Sequence, residues 1–188
     1  GGYTSEGYLI HTEAGKTYLY LQHQSDNDSH YINIFDLTTK TPVYTGFTGS
    51  SWSDSPITDP DSFLLWDRLD VLGTYSAYRE YHIGPDGMPQ TEDELFRLGS
   101  ANHENPVTLV SVRDLKVSVL NAGSQEQETI PSGTSFQITA TDGKSFVEAK
   151  MDDGRSCRIP VVKDADAWDW KINGVSEYEC FEMLPYAG

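Results

Sequence analysis

The sequence predicts an all-β fold in two domains, and three observations carry that prediction. Tyrosine is abundant, 11 among 188 residues, and aromatic side chains suit the pleated, half-buried surface of a sheet. Short apolar runs alternate with period 2 and are separated by Asp-Gly, Pro-Ser-Gly and Gly-Pro-Asp-Gly turn chemistry. Hydrophobic residues make up 37% of the chain, a share that suits sheets with one face left in water.

Residues 17–21 (Thr-Tyr-Leu-Tyr-Leu) and 31–35 (Tyr-Ile-Asn-Ile-Phe) read as strands on either side of a polar loop. Turn chemistry at 36–40 precedes a third strand over 42–47. A turn-rich connector over 46–61 leads to apolar residues 63–66 and 69–72. Residues 74–83 alternate Tyr75, Ala77, Arg79 and Tyr81 with Ser76, Tyr78, Glu80 and His82, and end at the turn Gly84-Pro85-Asp86-Gly87. Thr91 and Glu94 fit a capping box for a short helix through Leu98; a last strand over 95–98 fits the same residues. The polar, aperiodic stretch 99–106 sets the boundary between a first domain, 1–105, and a second, 106–188.

The first domain is an antiparallel sheet or a propeller remnant. Propeller blades run about 40–45 residues, so these hairpins would then be the tail of a longer chain. In the second domain four strands alternate with period 2: Leu115-Val117-Val119, Phe136-Ile138-Ala140, Val147-Ala149-Met151 and Cys157-Ile159-Val161. Tight turns separate them, the pattern of a small barrel or sandwich.

The formal net charge of −16 repels phosphate backbones, so nucleic acid is excluded as a partner. No apolar run approaches the length of a membrane span. The chain opens Gly1-Gly2 without Met, which reads as a trimmed form whose targeting segment has been removed.

No catalytic constellation emerges. Ser50, Ser51 and Ser53 lie among turn residues without a nucleophile elbow. Cys157 and Cys180 both follow the last histidine, His103, so no local Cys–His pair exists. Cys157 shares the inward phase of Ile159 and Val161 and is expected to be a buried free thiol, as is Cys180. His11, His23, His30, His82 and His103 match no zinc spacing. Asp26-Asn27-Asp28-Ser29-His30 starts like a calcium loop but lacks its glycine and its closing glutamate. Asp164, Asp166 and Asp169 form a second acidic cluster and read as solvated. The expectation is therefore no metal, no cofactor and no enzymatic activity. Flat stacking faces are offered by Trp52, Trp66, Trp168 and Trp170 with Tyr75, Tyr78 and Tyr81, against the alternative that these rings build the cores. Trp168 and Trp170 share one strand phase and are expected to face out together.

Two groups of motifs carry a resemblance. Ile130-Pro131-Ser132-Gly133-Thr134, residues 141–147 (Thr-Asp-Gly-Lys-Ser-Phe-Val) and Met151-Asp152-Asp153-Gly154-Arg155 resemble a bacterial SH3-like barrel. The sequence departs from the wall-targeting versions at Arg158-Ile159, where they often carry Gly and an aromatic. Residues 59–63, 72–75 and 81–89, with the closing Tyr186-Ala187-Gly188, are similar to an uncharacterised family of secreted proteins and lipoproteins from Gram-positive bacteria. The resemblance implies an extracytoplasmic, secreted or surface-anchored protein and no assigned chemistry. The expected function is a non-enzymatic binding or scaffold module, its ligand a neutral glycan or another envelope protein and its binding residues Trp168, Trp170, Tyr75, Tyr78 and Tyr81. The alternative is a carbohydrate-active or wall-processing enzyme with a carboxylate pair that no sequence rule marks.

Overall fold

A computed structural model describes residues 4–24, 30–49, 51–98, 107–165 and 167–187. The loop 25–29 with its calcium-like Asp26 and Asp28, the boundary stretch 99–106 with His103, Asp166 and Gly188 lie outside the described residues. The protein is all-β, 56% strand, with antiparallel sheets, none closed into a barrel. The chain divides into two compact units. One comprises residues up to Arg68 together with Tyr78–Glu94; the other comprises Leu69–Ala77 and the chain from Leu95 onward.

In the first unit, β1 (Thr4–His11), β2 (Thr17–Gln24), β3 (His30–Asp36) and β4 (Val43–Thr48) form a four-stranded sheet in sequential order. Alternation sends Ile10, Tyr18, Tyr20, Ile32 and Ile34 to one face, where they are buried with Ile57, Phe63 and Leu65. The Gly84–Gly87 turn belongs to this core. The Tyr20 hydroxyl donates to the Gly87 carbonyl at 2.7 Å. Gly87 has φ +84, and a Cβ there would lie 2.3 Å from the Tyr18 ring, so both backbone and space demand glycine.

Strands β5 (Phe63–Asp70) and β6 (Thr74–Ile83) are neighbours, and each is divided between the two units. β7 (Pro89–Gln90) pairs with the end of β6. Residues 91–94 form no helix: the Thr91 hydroxyl donates to the Glu80 carbonyl at 2.6 Å, which ties the segment to β6, and β8 (Phe96–Leu98) follows as a strand.

The second unit continues with β9 (Thr108–Val110), β10 (Leu115–Asn121), β11 (Ser124–Ile130), β12 (Ser135–Thr141), β13 (Phe146–Met151) and β14 (Ser156–Pro160). Their order is β11-β10-β14-β13-β12, with β8 and β9 both paired to β12. β11 ends this series, and its Ser-Gln-Glu-Gln-Glu-Thr run is almost wholly exposed. A polar, exposed strand is a common way to end a sheet without inviting further pairing. The hairpin β15 (Lys171–Ile172) and β16 (Val175–Ser176) and a 3-10 turn over Glu177–Glu179 complete the unit.

Cys157 and Cys180 are buried free cysteines, as expected from the sequence. Burial pushes the Cys157 thiol up to about 12 and raises that of Cys180. Alkylation should leave both thiols unlabelled in the native protein and label both after denaturation without reductant. A mass equal to that of the unlabelled chain under denaturing conditions would instead show a disulfide.

Candidate functional site

The structure distributes the five aromatic residues singled out in the sequence. Trp168 is 95% exposed, whereas Trp170 is 8% exposed. Strand alternation does not apply to this pair, because residues 167–170 form bends outside any strand. The Trp170 indole N–H donates to the Asp70 carbonyl at 2.8 Å, and Lys163 Nζ lies 5.3 Å from the ring centroid. Tyr75 is buried and donates to the Leu72 carbonyl at 2.6 Å. Tyr78 is half-buried 4.8 Å from Trp66, and Tyr81 is half-buried 6.4 Å from Phe63. Trp52 and Trp66 exchange backbone hydrogen bonds, and Trp66 is buried. Trp168 is therefore the freely exposed ring of this set, while Trp170 and Tyr75 belong to the second unit's core.

The feature that sequence reading missed is the outer face of the β1–β4 sheet. Register places Leu9, Leu19, Phe35 and Tyr44 in one row across all four strands. The next row holds Gly7, Leu21, Asn33 and Phe47, and Ser5, His23 and Tyr31 follow. Leu9, Tyr44 and Phe47 are 56%, 54% and 60% exposed. Phe35 and Tyr44 meet edge to face at 5.4 Å, and His23 stacks on Tyr31 at 4.8 Å. With His11 and Thr17 at the far end, the described residues of this face include no Asp, Glu, Lys or Arg, in a chain with 29 acidic and 13 basic residues.

A bulge builds this face. Tyr44 and Phe47 are three residues apart, and strict alternation would send them to opposite sides. The register shifts between Ile34 and Phe35, which inserts Thr45 as an extra residue whose hydroxyl donates to the Ile34 carbonyl at 3.0 Å. Both rings consequently point outward. One signal in the sequence marks the face: residues 18–21 (Tyr-Leu-Tyr-Leu) are apolar in both phases, the signature of a strand covered on both sides.

A second feature of the first unit is Asp67. It is half-buried, and burial raises its carboxyl above the usual range even though the Ser51 hydroxyl donates to it at 2.6 Å and Arg79 acts in the opposite direction. Among the described residues no group of three or more His, Cys, Asp or Glu is placed to hold a metal ion, and no helix is long and apolar enough to cross a membrane. No family model, curated protein or solved structure matches the chain.

Proposed function

We propose that this chain is a non-enzymatic binding or scaffold module of a secreted or surface-anchored bacterial protein, with the outer face of β1–β4 as its binding surface. One observation carries the reading: three large apolar side chains stand more than half exposed on a face without charged side chains among its described residues, in a chain with net charge −16. Exposed apolar patches of this kind mark interaction sites, and a second protein suits this one better than a glycan. Glycan binding also needs hydrogen-bonding groups beside the stacking rings, and the two central rows of this face, Leu9, Leu19, Phe35 and Tyr44, then Gly7, Leu21, Asn33 and Phe47, are mainly apolar; of the Trp168–Trp170 pair only Trp168 is exposed.

The extracytoplasmic setting is supported by the resemblance of the 59–63, 72–75 and 81–89 motifs to secreted Gram-positive proteins. An SH3-like reading of the second half is supported by the Pro131–Thr134 turn, where the Thr134 hydroxyl donates to the Pro131 carbonyl at 2.8 Å and Gly133 has φ +88. A blade-like reading of the first half is supported by four sequential antiparallel strands.

Nile red, an uncharged apolar dye, tests the surface. The wild-type chain should bind it with saturation, and a Leu9→Ser/Phe47→Ser double variant should lose at least three-quarters of the signal. The melt should hardly move, since exposed side chains contribute within about 0.5 kcal/mol each. Equal dye binding by both proteins would sink the assignment. The enzymatic alternative requires a carboxylate pair, and Asp67, half-buried with the Ser51 hydroxyl donating to it at 2.6 Å, is the member to test first. Glycan hydrolysis that disappears in Asp67→Asn would replace the binding reading with that one.

A further inference from the structure

We infer that the outer face of β1–β4 is covered by the same face of a second copy of this chain, in a weak and reversible symmetric dimer. The inference rests on the reading of that face as a binding surface and names its occupant.

Three observations select a second copy. The first is charge. Two chains of net charge −16 repel one another over nearly any pairing of surfaces, because 29 acidic residues outnumber 13 basic ones. The described strand residues of the outer face include no carboxylate, so two copies can meet on these rows without placing like charges in contact. A basic partner would be drawn to the acidic remainder of the surface and would find no counter-charge on this face.

The second observation is the strand pattern. Leu19 and Leu21 on β2 and Phe35 on β3 form the middle of the outer face, directly behind the buried Tyr18, Tyr20 and Ile34. Strands with apolar residues in both phases are those covered on both sides. An isologous sheet-on-sheet contact supplies the missing layer with the one surface certain to be complementary in polarity, namely itself.

The third observation is size. Four strands about 4.8 Å apart and up to 8 residues long at about 3.4 Å per residue give a flat footprint of roughly 500 Å2 per copy. Stable interfaces bury about 800 Å2 per partner. The face is large enough for association and too small for an obligate dimer. The long-range repulsion between copies also opposes encounter, so the dimer should tighten as salt screens it.

Sedimentation velocity from about 1 to about 500 μM, at low and at high salt, tests the proposal. The expected result is a monomer of 21.0 kDa passing to twice that mass as concentration rises, with the midpoint falling at least threefold at high salt. Leu9→Ser/Phe47→Ser should weaken the dimer at least tenfold, and Phe47→Leu should retain it. A dimer unaffected by the double variant overturns the assignment. A wild type that stays monomeric throughout also overturns it. In that case, Nile red binding that the double variant loses would keep the face as a binding surface for another protein, and absence of that binding would remove both readings. Association of the monomer with neutral phosphatidylcholine vesicles, lost in the double variant, would replace the second copy with a lipid surface.

Discussion

Replacing Trp170 by Ala is expected to destabilise the protein by about 3–5 kcal/mol, the range for deleting a large aromatic from a packed core. The indole is 8% exposed within the second unit's core, and its ring N–H donates to the Asp70 carbonyl at 2.8 Å. Truncation leaves a cavity and removes the indole's hydrogen bond to that carbonyl. Trp168→Ala should fall within about 0.5 kcal/mol of wild type, because its ring is 95% exposed. Equilibrium urea unfolding of the two single variants separates them. If Trp168→Ala cost as much as Trp170→Ala, the different burial of these neighbours would be wrong. A double replacement of the two tryptophans would therefore report only the loss of Trp170 from the core.

The second large effect is expected at Glu177, a carboxylate buried completely in the second unit. It accepts the Trp170 backbone N–H at 3.0 Å and the Tyr186 hydroxyl at 2.9 and 2.8 Å, and it also accepts the Leu72 backbone N–H. Leu72 itself holds a left-handed φ of +54, a conformation that a branched side chain adopts only when its surroundings enforce it. The carboxylate is thus a hub joining a strained turn, the Trp170 segment and the end of the described chain. Glu177→Ala leaves these donors without an acceptor and should cost about 3 kcal/mol or more at neutral pH.

The pH dependence has a definite sign. Burial raises the Glu177 carboxyl above its ordinary 4.5, and the hydrogen bonds from Trp170, Tyr186 and Leu72 offset this only in part. The folded state therefore binds the proton more readily than the unfolded state. The cost of the buried charge is fully present above the raised value and is relieved as pH falls through it toward 4.5. The stability gap between wild type and Glu177→Ala should widen as the solution is acidified through that window, measured by urea midpoints at several pH values. A gap that narrows would contradict it. Asp142 behaves oppositely. Although burial acts to raise it, hydrogen bonds from Ser145, Lys144 and Phe146 outweigh that and hold it below the ordinary carboxylate range. Its stabilising contribution is present at neutral pH and is lost as pH falls through that lowered value.

Much of the fold was legible because its strands obey simple alternation. Leu115, Val117 and Val119 on β10, and Phe136, Ile138 and Ala140 on β12, are buried as their phase requires. The strands that escaped lack that pattern. β11 is polar in both phases, and β1 begins Thr-Ser-Glu-Gly, so neither presents a stripe to read. The site was less legible for a physical reason. Tyr44 and Phe47 share a face only because Thr45 bulges, and a bulge depends on the partner strand as well as on local sequence. Trp168 and Trp170 failed the alternation rule because a period of 2 holds only inside a strand, and their segment bends.

The division of the second unit along the chain also bears on how the protein is made. Val71, Leu72 and Tyr75 belong to a core whose other members begin at Leu109, and Asp70 meets Trp170 a hundred residues later. Synthesis therefore releases the segment 69–77 well before the residues that shelter it. Two further bonds join distant parts of the unit: the Pro185 carbonyl accepts the Thr74 N–H at 3.1 Å, and the Tyr186 hydroxyl donates to Glu177. On a ribosome residues 69–77 emerge before these partners, so the segment packs only after the residues from Leu109 onward have been made. Until those residues have been made, the apolar segment 69–77 is open to chaperones and proteases.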